Sequence, residues 1–435
     1  MPDFVAPQLK APRLADILGR SVPNLSLHQL RRRTPEAPPV GDPAERAYAA
    51  LRPHVGVVRP GDSVAIGVGS RGINHIGEVV AGIVRTVREQ GGEPFIVPAM
   101  GSHGGADADG QRQTLAWLGV TEEAVGAPVR ATMDTVPLGL ADDVEVALDA
   151  YAAQADHIVL TNRLKSHTSF SGQLESGLAK MLAIGFGKQH GAEELHRIGP
   201  TQIERRIRAA ARHICATKPV LGGIALVESE TKELAVVEFV APDGIGGDRE
   251  AELLVQAKRY EPRLPFDQLD VLIVDAMGKN FSGTGMDTNV IGRRMVRGMP
   301  EIPTPRITNI VCLEVTPQSH GNAIGLGLAD FIPERALAGV DLAATYANTL
   351  TAGSQGVQRA QIPITLADDA DAVAAAVLTC DVSDPSRLRI ARIRDTLHLD
   401  DLMVTESLLA EAHSYDDLGE QATLFGSGGQ LGGWA

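Results

Sequence analysis

Cysteine is scarce in this chain of 435 residues, which contains only three. Cys215, Cys312 and Cys380 are far apart and form no Cys-x-x-Cys pair, so neither a thiolate zinc cluster nor a disulfide framework is expected. No apolar stretch approaches the ~18 residues that a membrane-spanning helix needs. Residues 1–20 also lack the apolar core of a signal peptide. We therefore expect a cytoplasmic protein that has no membrane partner.

Aromatic residues and positive charge are also in short supply. Phe, Trp and Tyr make up 4% of the chain, and the formal net charge at pH 7 is −14. Stacking on single-stranded nucleic acid needs aromatic side chains, and binding to a phosphate backbone needs an excess of Lys and Arg. A nucleic acid partner is therefore not expected. Hydrophobic residues, however, make up 44% of the chain, which is enough for substantial cores.

The length predicts two domains, because a single domain usually has fewer residues. Residues 1–60 are rich in Pro and Arg and are predicted to form an extended lead-in (2–14), a basic segment around Arg31–Arg33 and one helix near Asp42–Leu51. Glu261–Phe266 resembles a linker, so the predicted domains are residues 1–263 and 264–435. The alternation of strands and helices predicts α/β architecture, with two α/β domains, a cleft between them and Rossmann-like parallel or mixed sheets. The Gly-rich tail, residues 425–435, is expected to be poorly ordered.

The first strong motif is a Gly-x-Gly-x-x-Gly segment between a predicted strand and a predicted helix. Gly67, Gly69 and Gly72 follow the apolar strand pattern and match the dinucleotide-binding fingerprint. That fingerprint also requires an acidic residue at the end of the next strand. The next strand, Glu93–Val97, has none there, so we discount nicotinamide dinucleotide binding and expect a tight turn. Arg71 in this turn is well placed to bind a carboxylate through two hydrogen bonds.

Polar residues also follow two other predicted strands. His103 lies in the loop after Glu93–Val97, and His167 follows the apolar run that ends at Leu160. Because ligands of open α/β sheets bind at the carboxyl ends of the strands, both histidines are candidate acid/base residues. Lys180 lies among apolar residues, where desolvation would lower the pKa of its amine and make it a nucleophile. His196 follows on the next predicted helix.

The second predicted domain has two long Gly-rich loops, at residues 278–289 and 319–331. Long loops within compact domains are often functional, and the first of these follows a predicted strand. The second loop lacks the Gly-Lys-Ser/Thr ending of a phosphate-binding Walker A motif.

This constellation resembles the nickel-dependent lactate racemase (LarA-like) family. The matching positions, in order, are Arg71 in a loop after an early strand, the Gly101-Ser102-His103 loop, His167, Lys180 and His196. The family contains racemases and epimerases of 2-hydroxy acids that use a nickel-pincer nucleotide cofactor (nickel pyridinium-3,5-bisthiocarboxylic acid mononucleotide). The resemblance extends over most of the chain, including its two-domain layout.

The resemblance implies a role for each matching residue. Lys180 would tether the cofactor covalently and His196 would be the protein ligand to nickel. His103 and His167 would be the paired acid and base, and Arg71 would bind the substrate. The enzymes that make the cofactor would be partners of the protein. The oligomeric state is open, a homodimer included.

Other positions extend or depart from the family pattern. Ser70 and Lys165 are added as substrate-binding residues, and Asp287 and Asn289 fit an Asp-x-Asn segment at the cofactor. Lys165 stands near His167, where the lactate enzymes have a proline beside the histidine. The segment between the histidine and the lysine is longer than in the family, and the downstream Gln and Lys have no counterparts, although Arg293 or Arg294 would be the substitutes. These departures predict a divergent branch with a substrate more polar than lactate, such as a dicarboxylate or a sugar acid.

The chemistry of a racemase agrees with this set of residues. Removing the Cα hydrogen of a 2-hydroxy acid as a proton would create a dianion, whereas removing it as hydride gives a ketone. A hydride acceptor has to be a cofactor, because side chains do not provide one. Two alternatives stay open. One is a divalent-metal-dependent hydrolase or lyase with His103, His167 and His196 as ligands, and the other is a cofactor-free carboxylate-binding protein.

Overall fold

A computed structural model describes residues 10–19, 21–33, 40–70 and 72–434, except for the side chains of residues 351 and 354. The chain divides into two compact units. The first unit is Pro35–Glu261, and the second combines Met1–Thr34 with Pro262–Ala435. Both are α/β in architecture, as the sequence predicts. None of the helices in the described ranges is long and apolar enough to cross a bilayer.

The strands of the described residues are β1 (Ser26–Arg32), β2 (Ser63–Val68), β3 (Glu93–Pro98), β4 (Thr135–Ala141), β5 (Val144–Asp149), β6 (His157–Arg163), β7 (Val220–Glu228), β8 (Leu234–Val240), β9 (Gln268–Val274), β10 (Arg306–Cys312), β11 (Phe331–Pro333), β12 (Ile364–Leu366), β13 (Ile390–Ile393), β14 (Asp401–Val404) and β15 (Tyr415–Thr423).

The α-helices of the described residues are α1 (Leu14–Ile17), α2 (Pro43–Leu51), α3 (Ile76–Glu89), α4 (Ala108–Trp117), α5 (Glu122–Val125), α6 (Ala150–Gln154), α7 (Leu178–Lys180), α8 (Lys188–His196), α9 (Ile203–Thr217), α10 (Asp248–Tyr260), α11 (Thr288–Ile291), α12 (Glu334–Leu337), α13 (Leu342–Ala352) and α14 (Asp369–Leu378). A π-helical turn, Met181–Gly185, follows α7 directly.

The first unit is built on a five-stranded sheet of order β3-β2-β6-β7-β8. Four strands run parallel, and β8 joins β7 as an antiparallel hairpin partner. Helix α3 packs a buried stripe that includes Val79, Val80, Ile83 and Val87 into the core of this unit. Apolar positions spaced three and four residues apart form such a stripe on a helix. The second sheet of this unit is the β4-β5 hairpin.

The second unit has an eight-stranded mixed sheet of order β12-β11-β10-β9-β13-β14-β1-β15. Strands β9 to β13 are parallel, while β14, β1 and β15 pair antiparallel. Strand β1 falls within a basic segment that the sequence predicts in the first domain, but it is part of the second unit. The reason is its burial pattern, because Leu27 and Leu30 are each 1% exposed within the core of this unit.

The Gly-rich tail is ordered within its described part, and the expectation of disorder was wrong. The amide of Phe425 donates to Asn24 Oδ1 at 2.8 Å, and the amide of Gly432 donates to the carbonyl oxygen of Leu424 at 2.9 Å. The indole Nε1 of Trp434 donates to Asp275 Oδ2 at 2.5 Å, and the guanidinium of Arg394 lies over the indole ring. Two backbone amides and one aromatic side chain thus hold a segment whose composition alone predicts disorder.

Candidate active site

The carboxyl ends of three adjacent parallel strands carry the predicted polar residues of the first unit. Ser70 follows β2, His103 follows β3 and His167 follows β6, and β2 lies between the other two strands. Ser70 Oγ contacts His103 Nδ1 directly. The edge of the sheet thus brings together residues that the sequence separates by many positions, as parallel topology requires. Arg71 lies outside the described residues.

Buried polar contacts hold the loop of His103 from beneath. Gly101 has φ +59°, a conformation that favours glycine, and its amide donates to the carbonyl oxygen of Gly185 at 3.1 Å. Gln111 of α4 is fully buried. Its side-chain Nε2 donates to the carbonyl oxygens of Gly101 at 2.8 Å and His103 at 3.2 Å. The loop is therefore fixed at its backbone while the His103 side chain stays exposed.

Glu175 organises the loop of His167. This carboxylate is 4% exposed and accepts the amide of His167 at 2.5 Å, the amide of Gly172 at 3.1 Å and the ammonium of Lys258 at 2.5 Å. The His167 ring stacks on Phe170, and its Nδ1 accepts the amide of Ser169 at 3.1 Å. A neutral His167 therefore carries its proton on Nε2.

Lys165 lies at the start of the same loop. Its backbone exchanges two hydrogen bonds of 3.1 Å with Ser176, which closes the base of the loop. The residue is half-buried, two positions before His167. This placement is compatible with the predicted substrate-binding role of Lys165.

The glycine motif has a packing role in this structure. A Cβ on Gly67 would lie 2.3 Å from Cζ of Phe186, and a Cβ on Gly69 would lie 3.2 Å from Cε of Met181. Gly72 has open space around it. The first two glycines thus let the segment of the π-helical turn lie against strand β2. This packing supports the prediction of a tight turn in place of a dinucleotide site.

Lys180 ends α7, whose amino end is capped by a buried carboxylate. Glu250 is 3% exposed and accepts the amides of Ala179 at 3.0 Å and Gly246 at 2.8 Å. Burial raises the pKa of Glu250 above its usual value. A Cβ on Gly177 would lie 2.3 Å from Glu250 Oε1, so this glycine permits the close approach. Lys180 itself is half-buried, because its apolar neighbours occupy the buried positions of the turn.

His196 ends α8, with its ring oriented by the helix. Nδ1 lies 2.7 Å from the carbonyl oxygen of Ala192, and because a carbonyl only accepts, Nδ1 carries the proton. The pKa of His196 is lowered, chiefly because protein atoms replace water around the ring and also because the Lys180 ammonium repels a second positive charge. The residue as a whole remains exposed. A neutral imidazole with a fixed Nδ1–H presents the lone pair of Nε2, which is the arrangement of a metal-binding histidine.

Sequence reasoning missed the lysine of this region that is fully desolvated, Lys188. It is completely buried and forms an ion pair with Asp149, which is also completely buried, with Nζ 3.0 Å from Oδ2. Burial lowers the pKa of Lys188 and raises that of Asp149. The available signal was the polar Lys188 directly after the apolar stretch Met181–Gly187. The polar residues that follow it, Gln189 and His190, however, are typical of a solvated helix.

The three candidate histidines do not form a metal site with one another. In the described ranges, which include His103, His167 and His196, no three His, Cys, Asp or Glu side chains are grouped closely enough to bind a metal ion.

The predicted Asp287 and Asn289 belong to the second unit, where they begin helix α11. Asp287 Oδ1 accepts the amide of Asn289 at 3.0 Å and its side-chain Nδ2 at 3.2 Å. The Asp-x-Asn segment is therefore a helix cap in this structure.

The arginines considered as substitutes have structural contacts in the second unit. Arg293 pairs with Asp330 at 2.7 Å and donates to the carbonyl oxygen of Leu328 at 2.9 Å. Arg294 is 2% exposed and donates to the carbonyl oxygen of Pro300 at 2.7 Å. Its burial is the opposite of what a substrate-binding arginine at the protein surface would show.

The two Gly-rich loops of the second unit pack against each other. Lys279 Nζ donates to the carbonyl oxygens of Gly283 at 2.8 Å and Ile324 at 3.3 Å, which links the first loop to the second. Ser319 Oγ accepts the amide of Lys279 at 3.1 Å. Both loops therefore have an ordered internal structure despite their composition.

Comparisons with known proteins give a structural likeness and nothing more. No protein-family model matches the sequence, and no curated protein matches it. The crystal structure of a Thermotoga maritima protein, a structural-genomics target, aligns with a TM-score of 0.46 and 14% sequence identity. The alignment covers 80% of this chain and 94% of that one.

Proposed function

We propose that this protein is a racemase or epimerase of a 2-hydroxy acid that uses a nickel-pincer nucleotide. The observation that carries the proposal is the fixed orientation of the His196 ring, whose Nδ1–H is held on the Ala192 carbonyl oxygen at 2.7 Å. The pKa of His196 is lowered, chiefly because the ring is buried and also because of the charge of Lys180. A histidine that is neutral near pH 7 and presents Nε2 suits a nickel ligand, and a half-buried lysine beside it suits a covalent tether.

The other residues supply acid/base groups at the same edge of the sheet. His103 and His167 follow strands on either side of β2, so a substrate at this edge can meet both. One histidine removes the hydroxyl proton from one enantiomer, and the other histidine does so for the opposite enantiomer. The cofactor, when bound, would accept hydride from Cα and return it to either face. Lys165 adds a positive charge beside His167 and favours an anionic substrate that is more polar than lactate.

Intact mass and metal content test the proposal. The protein is expressed together with enzymes that make the cofactor, and its mass and nickel content are measured. We expect an added mass equal to a modified nucleotide and about one nickel ion per chain, with subsequent turnover of a polar 2-hydroxy acid. Lys180→Ala should lose the added mass, because the amine that forms the covalent bond is removed.

Two control variants make the result specific. Lys218 is also half-buried in the first unit and donates to the Ala153 carbonyl oxygen at 3.1 Å, so Lys218→Ala should keep the added mass. His190 is exposed on the same helix as His196, so His190→Gln should keep nickel while His196→Gln loses it. An unmodified wild-type chain without nickel, under conditions that load a lactate racemase, would contradict the proposal.

A further inference from the structure

The buried pair of Lys188 and Asp149 lies directly beneath the loop of His103. The ammonium of Lys188 has three hydrogen-bond donors, and three acceptors surround it. These are the Pro98 carbonyl oxygen at 2.5 Å, Gln111 Oε1 at 3.0 Å and Asp149 Oδ2 at 3.0 Å. The contacts to Pro98 and Gln111 are hydrogen bonds, and the contact to Asp149 is an ion pair.

Gln111 transmits this contact to the loop. Its Oε1 accepts from Lys188, and its Nε2 donates to the carbonyl oxygens of Gly101 and His103. The orientation of the amide is determined by its partners, since an ammonium only donates and carbonyl oxygens only accept. Lys188, Gln111 and Asp149 are all completely buried, so neither solvent nor a substrate competes for these hydrogen bonds.

The backbone of Lys188 supports a specific role for this side chain. Its φ is +53°, in the left-handed region that a residue with a Cβ rarely adopts. Such strain persists where the surrounding contacts determine the conformation. Lys188 is also the first residue of α8, the helix that ends in His196. One buried ammonium therefore connects the loop of one candidate acid/base to the helix of the candidate metal ligand.

We propose that Lys188 and Gln111 are positioning residues that hold the backbone of His103 in place from beneath through the chain of contacts Asp149–Lys188–Gln111–His103. The role of these contacts in catalysis rests on the proposed function, whereas their effect on the loop does not. Lys188 is not a nucleophile in this arrangement, because its nitrogen is buried, hydrogen-bonded to Pro98 and Gln111 and paired with Asp149.

Hydrogen exchange of the loop is the test, with Gln111→Met as the main variant. This substitution keeps the size of the side chain, keeps the pair between Lys188 and Asp149, and removes both hydrogen bonds to the loop. Amide exchange in residues 101–106 should become about tenfold faster, while exchange in β2 and β6 is unchanged. The ring ¹⁵N shifts of His103 should also change, because the contact of its Nδ1 with Ser70 Oγ is loosened.

Thr86→Val is the matched control, since it also removes one buried hydrogen bond in the first unit, from Thr86 Oγ1 to the Gly82 carbonyl oxygen at 2.8 Å. It should leave the loop and the His103 shifts unchanged. If Lys188→Met folds, it should loosen the same loop. Exchange in residues 101–106 that rises less than about twofold in Gln111→Met, or equally in Thr86→Val, would overturn the inference.

Kinetics of the nickel-loaded enzyme add a second, separate readout. Gln111→Met should lower kcat by about 10–100-fold and leave KM nearly unchanged, because it displaces an acid/base without removing a substrate contact. An equal loss through KM would overturn the positioning role. A wild-type protein without racemase activity would remove the proposed function alone, because the loop measurement needs no substrate.

Discussion

The contact between Gly67 and Phe186 gives the sharpest test of why the glycine motif is present. A Cβ on Gly67 would lie 2.3 Å from Cζ and 2.4 Å from Cε2 of Phe186, well inside van der Waals contact. Both residues are buried, and Phe186 is 0% exposed, so the ring has no solvent to move into. We expect Gly67→Ala to lower the free energy of unfolding of the first unit by about 1–3 kcal/mol, the usual cost of overpacking.

A double-mutant cycle identifies the clash as the cause. Phe186→Leu removes the two ring atoms that the added methyl group of Gly67→Ala would contact. In that background Gly67→Ala should cost less, with a coupling energy of about 1–2 kcal/mol between the two positions. Urea unfolding, read from the hydrogen exchange of peptides within residues 63–98, reports the first unit separately from the second.

Gly72 is the matched control within the same motif. It has open space around it, so Gly72→Ala should change the stability by less than about 0.5 kcal/mol. The reasoning would be refuted if Gly67→Ala and Gly72→Ala had equal costs, or if Phe186→Leu gave no relief. A dinucleotide site would instead need its glycines for the approach of the pyrophosphate, and the cost in stability would not depend on Phe186.

Three further predictions concern the candidate site. His196 should titrate below its ordinary pKa of 6.5 in a histidine NMR titration, and Lys180→Ala should raise that midpoint whereas Lys218→Ala should not. Just below pH 6.5 the unfolded chain should bind more protons than the folded one, so the free energy of unfolding should fall as the pH drops through this range. His196→Gln should make the free energy of unfolding, measured in urea, depend less on pH in the same range. Asp149→Asn should lower the free energy of unfolding by about 3–5 kcal/mol in the same assay, since it leaves the Lys188 ammonium buried without its carboxylate. A decrease below about 1 kcal/mol would contradict the buried ion pair. Glu175→Gln should lower the free energy of unfolding by about 1.5–3 kcal/mol, because two amides and the Lys258 ammonium lose a charged acceptor. Amide hydrogen exchange in the loop of His167 should become faster, and unchanged exchange there would contradict the role of Glu175.

Local patterns in the sequence predicted the elements of the first unit well. The apolar strand before the glycine motif and the helix after it each depend on neighbouring residues, and both are present in the structure as β2 and α3. Strand β1 was missed because only its long-range partners, β14 and β15, reveal it. Its sequence, SLHQLRR, has two apolar residues among polar ones. The strands that bury these two residues come much later in the chain, and Arg31 pairs with Asp401, which is 370 residues away.

The candidate site likewise contains residues that the sequence predicted and residues that it did not. His103, His167, Lys180 and His196 were found because their types and order suggest chemistry, and parallel topology then places the first two at one edge of the sheet. The residues that hold them were not found, since a buried Gln, Asp or Lys in a sequence has the appearance of a solvated polar residue. The buried ammonium of Lys188 is compensated by acceptors from other elements, the Pro98 carbonyl oxygen, Gln111 Oε1 and the Asp149 carboxylate. Only its partners in the folded structure show that a polar residue is buried and structural, and these partners are distant from it in the sequence.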